Sequence, residues 1–389
     1  MKEKSEQLMR RMSGEDWTPE ARDLLMEIRS QAYEALGMPA DQLSIWRAQV
    51  AAYDPYLDDP FMPGRISIGA PLDPLGIPLL PDVIHGDRVV LHSLLSQLLQ
   101  AANDLGLTVD WRIHFSTVPS GRMSGTAYRV PGTGEVIITI DSGLLKFIEF
   151  MAVVVASLFR RQEHPGGWVR LEPSPELVDE KPEITEYVGE LLTVYLKRGE
   201  FLDPPPFAVP EELTDGFVGL RSSASLFALG HELAHATCGH LSESKPTVAV
   251  DTRDEIRLTW ENEMEADAQG AAIGMAAMKN AGHGIQAAYH GADFLMSVLD
   301  LFERARQVLL RSKLVNRASR DDVLKLFPTH PPGWFRQGAL RLFLLHHYGS
   351  RSNGAIAVGE KIQQCSDAIW DRLFPHFREL HDSGIRPFR

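Results

Sequence analysis

The stretch Ser222-Ser223-Ala224-Ser225-Leu226-Phe227-Ala228-Leu229-Gly230-His231-Glu232-Leu233-Ala234-His235 decides how the rest of the chain is read. Serines that can serve as an N-cap precede apolar residues at helical spacing, so the stretch predicts a helix over about 222–241. Two histidines four apart on a helix sit one turn above each other. Their imidazoles can then reach one Zn²⁺ at about 2.0–2.1 Å. Glu232 projects to the side, in position to hold and deprotonate a water. With 14 histidines in 389 residues, this His-Glu-x-x-His pattern arises by chance in roughly three of every hundred such chains. The motif alone is therefore not sufficient, and a catalytic zinc site also needs a third protein ligand beside the water position.

The third ligand has to come from elsewhere in the chain. A later glycine and histidine at positions 238 and 241 would supply it, but Cys238 and Leu241 stand there. The segment Trp260-Glu261-Asn262-Glu263-Met264-Glu265-Ala266-Asp267 offers Glu263 as ligand. Asp267, four residues on and on the same helix face, is expected to accept a hydrogen bond from a ligand histidine. Ala266, Ala268, Gly270, Ala271 and Ala272 are small enough for this helix to pack closely on the first. A solvated acidic face is the alternative, and Glu261 and Glu265 are the next candidates if the register differs.

Three motifs in order resemble the gluzincin metallopeptidases that include the CAAX-prenyl proteases, the HtpX-type peptidases and their soluble relatives. They are His231-Glu-Leu-Ala-His235-Ala-Thr-Cys-Gly239-His240, Glu263-Met-Glu-Ala-Asp267 and Thr329-His330-Pro331-Pro332. Ser124-Gly-Thr-Ala-Tyr128 through Glu135 to Leu145 is similar to the family's strand and Gly-Leu-Leu entry into the domain. The resemblance implies an α+β, mainly helical zincin-like domain with a small β-sheet and an active-site helix. It also implies a protein or peptide substrate, Zn²⁺ as cofactor, Glu232 as catalytic base, and His330 as a second catalytic group that stabilises an oxyanion. A rigid proline turn with an exposed His330 is the other reading of the last motif. His240 reads as a helix-end residue turned away from the metal, Cys238 as a small core residue, and His346-His347 as surface.

Working outward, the helix over about Asp87 to Asp104 leads to a strand over Leu107 to Phe115, in which Val109, Trp111, Ile113 and Phe115 alternate with polar residues. A second strand, Glu135 to Ile140, is the expected edge for pairing with an extended substrate. Leu144 to Phe159 reads as a buried helix and Glu183 to Lys197 as another. Further helices are expected near 254–281, 284–313 and 355–373. The expected organisation is a mainly helical N-terminal region over 1–105, a metallopeptidase domain over 106–350, and a C-terminal helical segment over 351–389. Residues 162–221, rich in Pro and acid, read as an insertion that covers the cleft as a lid or exosite.

Composition narrows the partners. The chain is 44% hydrophobic and 23% charged, values of a folded globular protein. Its 39 basic against 52 acidic side chains give −13, with no run of Lys or Arg to track a phosphate backbone, so nucleic acid is not an expected partner. Two cysteines make no disulfide framework, which fits a cytoplasmic location. Neither a signal segment nor a membrane span is expected, because the most apolar window holds Lys146 and Glu149 and is too short. Two other readings stay open: a regulatory or toxin-like peptidase of the phage-exclusion type acting on one cellular protein, and a non-catalytic zinc-binding scaffold.

Overall fold

The computed structural model describes residues 17–35, 85–107, 112–118, 123–163, 169–199, 213–241, 253–311 and 330–387. The Pro/Gly-rich stretch Pro55 to Pro81, the Pro204-Pro205-Pro206 run, and Val109, Trp111 and Thr329 lie outside them. The described chain is mainly helical with a small mixed sheet, as expected.

The elements in order are α1 (Pro19–Ala35), α2 (His85–Asp104), β1 (Arg112–Val118), β2 (Gly125–Arg129), β3 (Glu135–Asp141), α3 (Ser142–Ala156), β4 (Phe159–Glu163), β5 (Val169–Pro173), α4 (Leu177–Glu180), α5 (Pro182–Arg198), α6 (Thr214–Thr237), α7 (Arg253–Asn280), α8 (Ile285–Arg311), α9 (Gly333–Tyr348) and α10 (Asn353–Asp382). No helix among the described residues is long and apolar enough to cross a membrane.

The main sheet has the order β1-β3-β2, with β1 parallel and β2 antiparallel to β3. The strand expected at the edge, Glu135 to Ile140, is therefore the central one, and β2 is an edge. Every residue of β3 is buried because both faces are covered. Val136, Ile138 and Ile140 join the main core, while Ile137 packs with Trp17, Ala21 and Val130 under α1. The same cover changes β1. His114, expected on a solvated face, is buried and bonded to the buried Glu135 at 3.0 Å, with the Trp17 ring 4.4 Å away.

One buried cluster contains Leu98 of α2, Phe147 of α3, Leu192 of α5, Leu229 of α6, Ile273 of α7, Phe294 of α8, Leu344 of α9 and Phe377 of α10. The expected lid does not match the described part of the 162–221 segment. Helix α5 buries Ile184, Val188, Leu191, Leu192, Tyr195 and Leu196 in this core, which an amphipathic face of that size would otherwise expose. The Tyr195 hydroxyl accepts from the Met123 N–H and donates to Asp141 Oδ1, the side chain that also caps α3 at the Leu144 N–H.

Helix α6 begins at Thr214, about two turns before the expected start, so the serines lie inside it. Ser223 instead donates to the Ala288 carbonyl and accepts from the Gly291 N–H, tying α6 to α8.

Candidate metal centre

The crossing of α6 and α7 builds the centre. Glu263, Asp267, Gly270 and Gly274 recur at a spacing of three or four residues and share one face of α7. A Cβ on Gly270 would stand 2.6 Å from the His231 backbone nitrogen, and one on Gly230 would stand 2.8 Å from the Gly270 carbonyl oxygen. Side-chain-free contact at both glycines lets the two backbones touch. That contact carries the carboxylates of α7 to the imidazoles of α6, so Gly270, one of the small residues expected to allow close packing, does so.

His231 Nε2 lies 3.1 Å from His235 Nε2 and 3.5 Å from Glu263 Oε2, and His235 Nε2 lies 3.5 Å from Glu263 Oε1. Ligands held about 2.0–2.2 Å from a tetrahedral zinc stand roughly 3.3–3.6 Å apart. The three side chains, His231 and Glu263 buried and His235 partly buried, form a group that can hold a metal ion. Glu263 Oε2 is buried and has no hydrogen-bond donor among the described residues, a costly state for a carboxylate oxygen unless a cation completes it. Glu261 and Glu265 are exposed, which fixes the register on Glu263.

Behind these candidate ligands lies an ordered shell. Asp267 is buried 3.0 Å from His231 Nδ1, which holds the proton on that nitrogen and turns the Nε2 lone pair inward. Arg336, at the start of α9, donates to Asp267 through Nε at 2.7 Å and Nη2 at 2.5 Å, and its Nη2 is 3.8 Å from Glu263 Oε2. Sequence reasoning missed Arg336. Pro331 and Pro332 read as a turn, whereas Pro332 is the N-cap of α9 and starts the helix that delivers the guanidinium. A proline before a helical pattern was the available signal.

Charge explains the protonation pattern. Burial alone would lower the His231 pKa, but the bonds and charges of Asp267 and Glu263 override it and raise the value to about 10. Burial would also raise Glu263 and Asp267, yet the histidines hold Glu263 well below the usual range and Arg336 lowers Asp267. Two buried carboxylates thus face two buried cations, His231 and Arg336, and a divalent metal would take the place of the His231 proton. Glu232 behaves oppositely, since burial, reinforced by Glu263, pushes its carboxyl up to about 7.

Glu232 lies against the edge strand, where a Cβ on Gly125 would be 2.5 Å from its Oε1. His330 is half exposed at the mouth, its Nε2 3.5 Å from Glu263 Oε1. Trp334 and Phe335, exposed on α9, form an aromatic shelf with Trp260, the Trp260 and Phe335 rings being 5.5 Å apart. His240 is at the helix end as expected, although its ring touches His235. Both His346 and His347 are exposed.

No family model, curated protein or solved structure matches this chain.

Proposed function

We propose that this chain is a zinc-dependent metallopeptidase that hydrolyses peptide bonds, with His231, His235 and Glu263 as ligands and Glu232 as general base. The observation that carries the reading is the convergence of two imidazole nitrogens, 3.1 Å apart, on the two oxygens of one buried carboxylate at 3.5 Å each, one of those oxygens having no hydrogen bond among the described residues. Beside them stands a buried carboxyl that is not a ligand. The ordered motifs resembling gluzincins point the same way.

Zinc in this site would polarise a substrate carbonyl and acidify a water. The rest is the work of the chain. A carboxyl tuned to about 7 takes the water's proton and returns it to the leaving amine near neutral pH. Strand β2 pairs with an extended substrate backbone along its open side, and Gly125 keeps that strand close to Glu232. His330, at the mouth, donates to the developing oxyanion. The shelf of Trp260, Trp334 and Phe335 receives an apolar side chain near the cleaved bond.

Metal analysis of the purified protein combined with casein hydrolysis tests the proposal. About one zinc per chain, with hydrolysis abolished by chelation and restored by zinc, is expected. Zinc without hydrolysis of casein or of a peptide library would favour a binding scaffold.

A further inference from the structure

The C-terminus of α6 holds a second cluster of metal-ligand types. Cys238 is the C-cap, the Gly239 N–H bonds the Ala236 carbonyl, and the His240 N–H bonds the His235 carbonyl at 2.9 Å. This is the Schellman arrangement, which needs the left-handed backbone that Gly239 adopts at φ +76°. It folds the chain back so that the His240 ring lies over His235, with the two Nδ1 atoms 3.0 Å apart. His240 Nε2 faces outward onto Glu265 Oε2 at 3.1 Å. The Cys238 thiol lies on the same side and donates to Gln269 Oε1 at 3.1 Å, while Gln269 Nε2 is anchored on Thr237 Oγ1 at 2.6 Å.

We propose that Cys238, His240 and Glu265 form a second, weaker site for a thiophilic divalent cation, next to the first centre and separate from it. Their sulfur, nitrogen and oxygen ligand atoms all lie within 4.8 Å of one another. A thiolate with an imidazole and one carboxylate selects zinc or cadmium over magnesium or calcium, which prefer all-oxygen shells. Gln269 Oε1, next to the sulfur, supplies a further polar atom. Three features make the site weaker than the first: Glu265 is 62% exposed, the thiol must give up its proton, and no buried carboxylate orients the His240 ring. His240 is also the group behind His235, so an ion here acts on the first centre through one imidazole. The site stands whether or not the chain is a peptidase.

The test titrates the full-length, zinc-loaded protein with Cd²⁺ near neutral pH and follows the thiolate-to-cadmium charge-transfer absorption. The first centre has no thiolate, so cadmium exchanging into it gives no such band, and a failure of the peptidase reading leaves this measurement untouched. Wild type should show a band saturating at one equivalent. Cys238→Ser should abolish it, and Cys365→Ser should leave it unchanged, because Cys365 is fully buried. Glu265→Gln, a surface change that leaves folding intact, should weaken binding by about tenfold or more. No band in the wild type would overturn the proposal. So would a band whose affinity in both Glu265→Gln and His240→Gln equals that of the wild type, which would mean that a lone thiol captures cadmium.

Discussion

Gly125 and Glu232 are in backbone-to-carboxylate contact, so close that a single methyl group at position 125 would fall 2.5 Å from Oε1 and 2.6 Å from Cγ of the proposed base. Gly125→Ala should therefore displace Glu232 or push β2 away from it. Turnover should fall by about a hundredfold, the cost of misplacing a reacting group by about 1 Å. Zinc content should not change, because no ligand moves. Equal turnover in wild type and variant would show that the base does not work from this position.

Arg336 neutralises a buried carboxylate, and removing one partner of such a pair costs about 3–5 kcal/mol. Arg336→Met should lower the stability of the metal-free protein by that amount in urea unfolding and weaken zinc binding by about 10–100-fold, since Asp267 no longer holds His231 in one tautomer. Arg336→Lys should recover only part of the loss, because an ammonium cannot make the two-pronged contact. Full recovery by lysine would reduce the contact to simple charge pairing.

The His231 pKa sets a pH dependence. Its folded value of about 10 exceeds the ordinary 6.5. In the metal-free protein the stabilisation from the protonated ring is fully present below about 6.5 and is lost as pH rises towards about 10. Zinc needs the lone pair that this proton occupies, so its affinity should climb through the same window. Thermal unfolding with and without zinc reads both effects. The metal-free Tm should fall with pH while the zinc-induced rise in Tm grows. A zinc-induced rise that is flat across the window would contradict the assigned charge pattern.

His330 should affect turnover and leave the metal in place. His330→Phe is expected to lower kcat by about 10²-fold or more at unchanged zinc content, as for loss of one oxyanion donor. An unaltered kcat would leave His330 as an exposed member of a proline turn.

These residues differ in how far the sequence alone reveals them. The group that can hold a metal ion was legible because helical periodicity makes spacing a statement about space. His231 and His235 lie four apart, as do Glu263 and Asp267, and Gly270 continues the latter face, so the two helices and their contact follow together. Arg336 was not legible, since nothing in one sequence marks which arginine will reach an aspartate 69 residues earlier. The edge strand was misplaced because Gly-Thr-Ala-Tyr-Arg is too short and too mixed to show alternation, while the more apolar Glu135–Asp141 stands out because it is the centre of the sheet. The 162–221 segment misled through its average composition. Its Pro and acidic residues hid the apolar face of α5, which is visible only when those residues are taken at helical spacing.

Glu232→Gln tests the proposed chemistry most directly, with zinc content and peptide hydrolysis measured on the same preparation. The substitution keeps the shape of a buried side chain that is not a ligand, so about one zinc per chain should remain. Hydrolysis should fall below detection. Retention of activity within about tenfold of wild type, a loss smaller than removal of a general base brings, would contradict the assignment of Glu232 as the base.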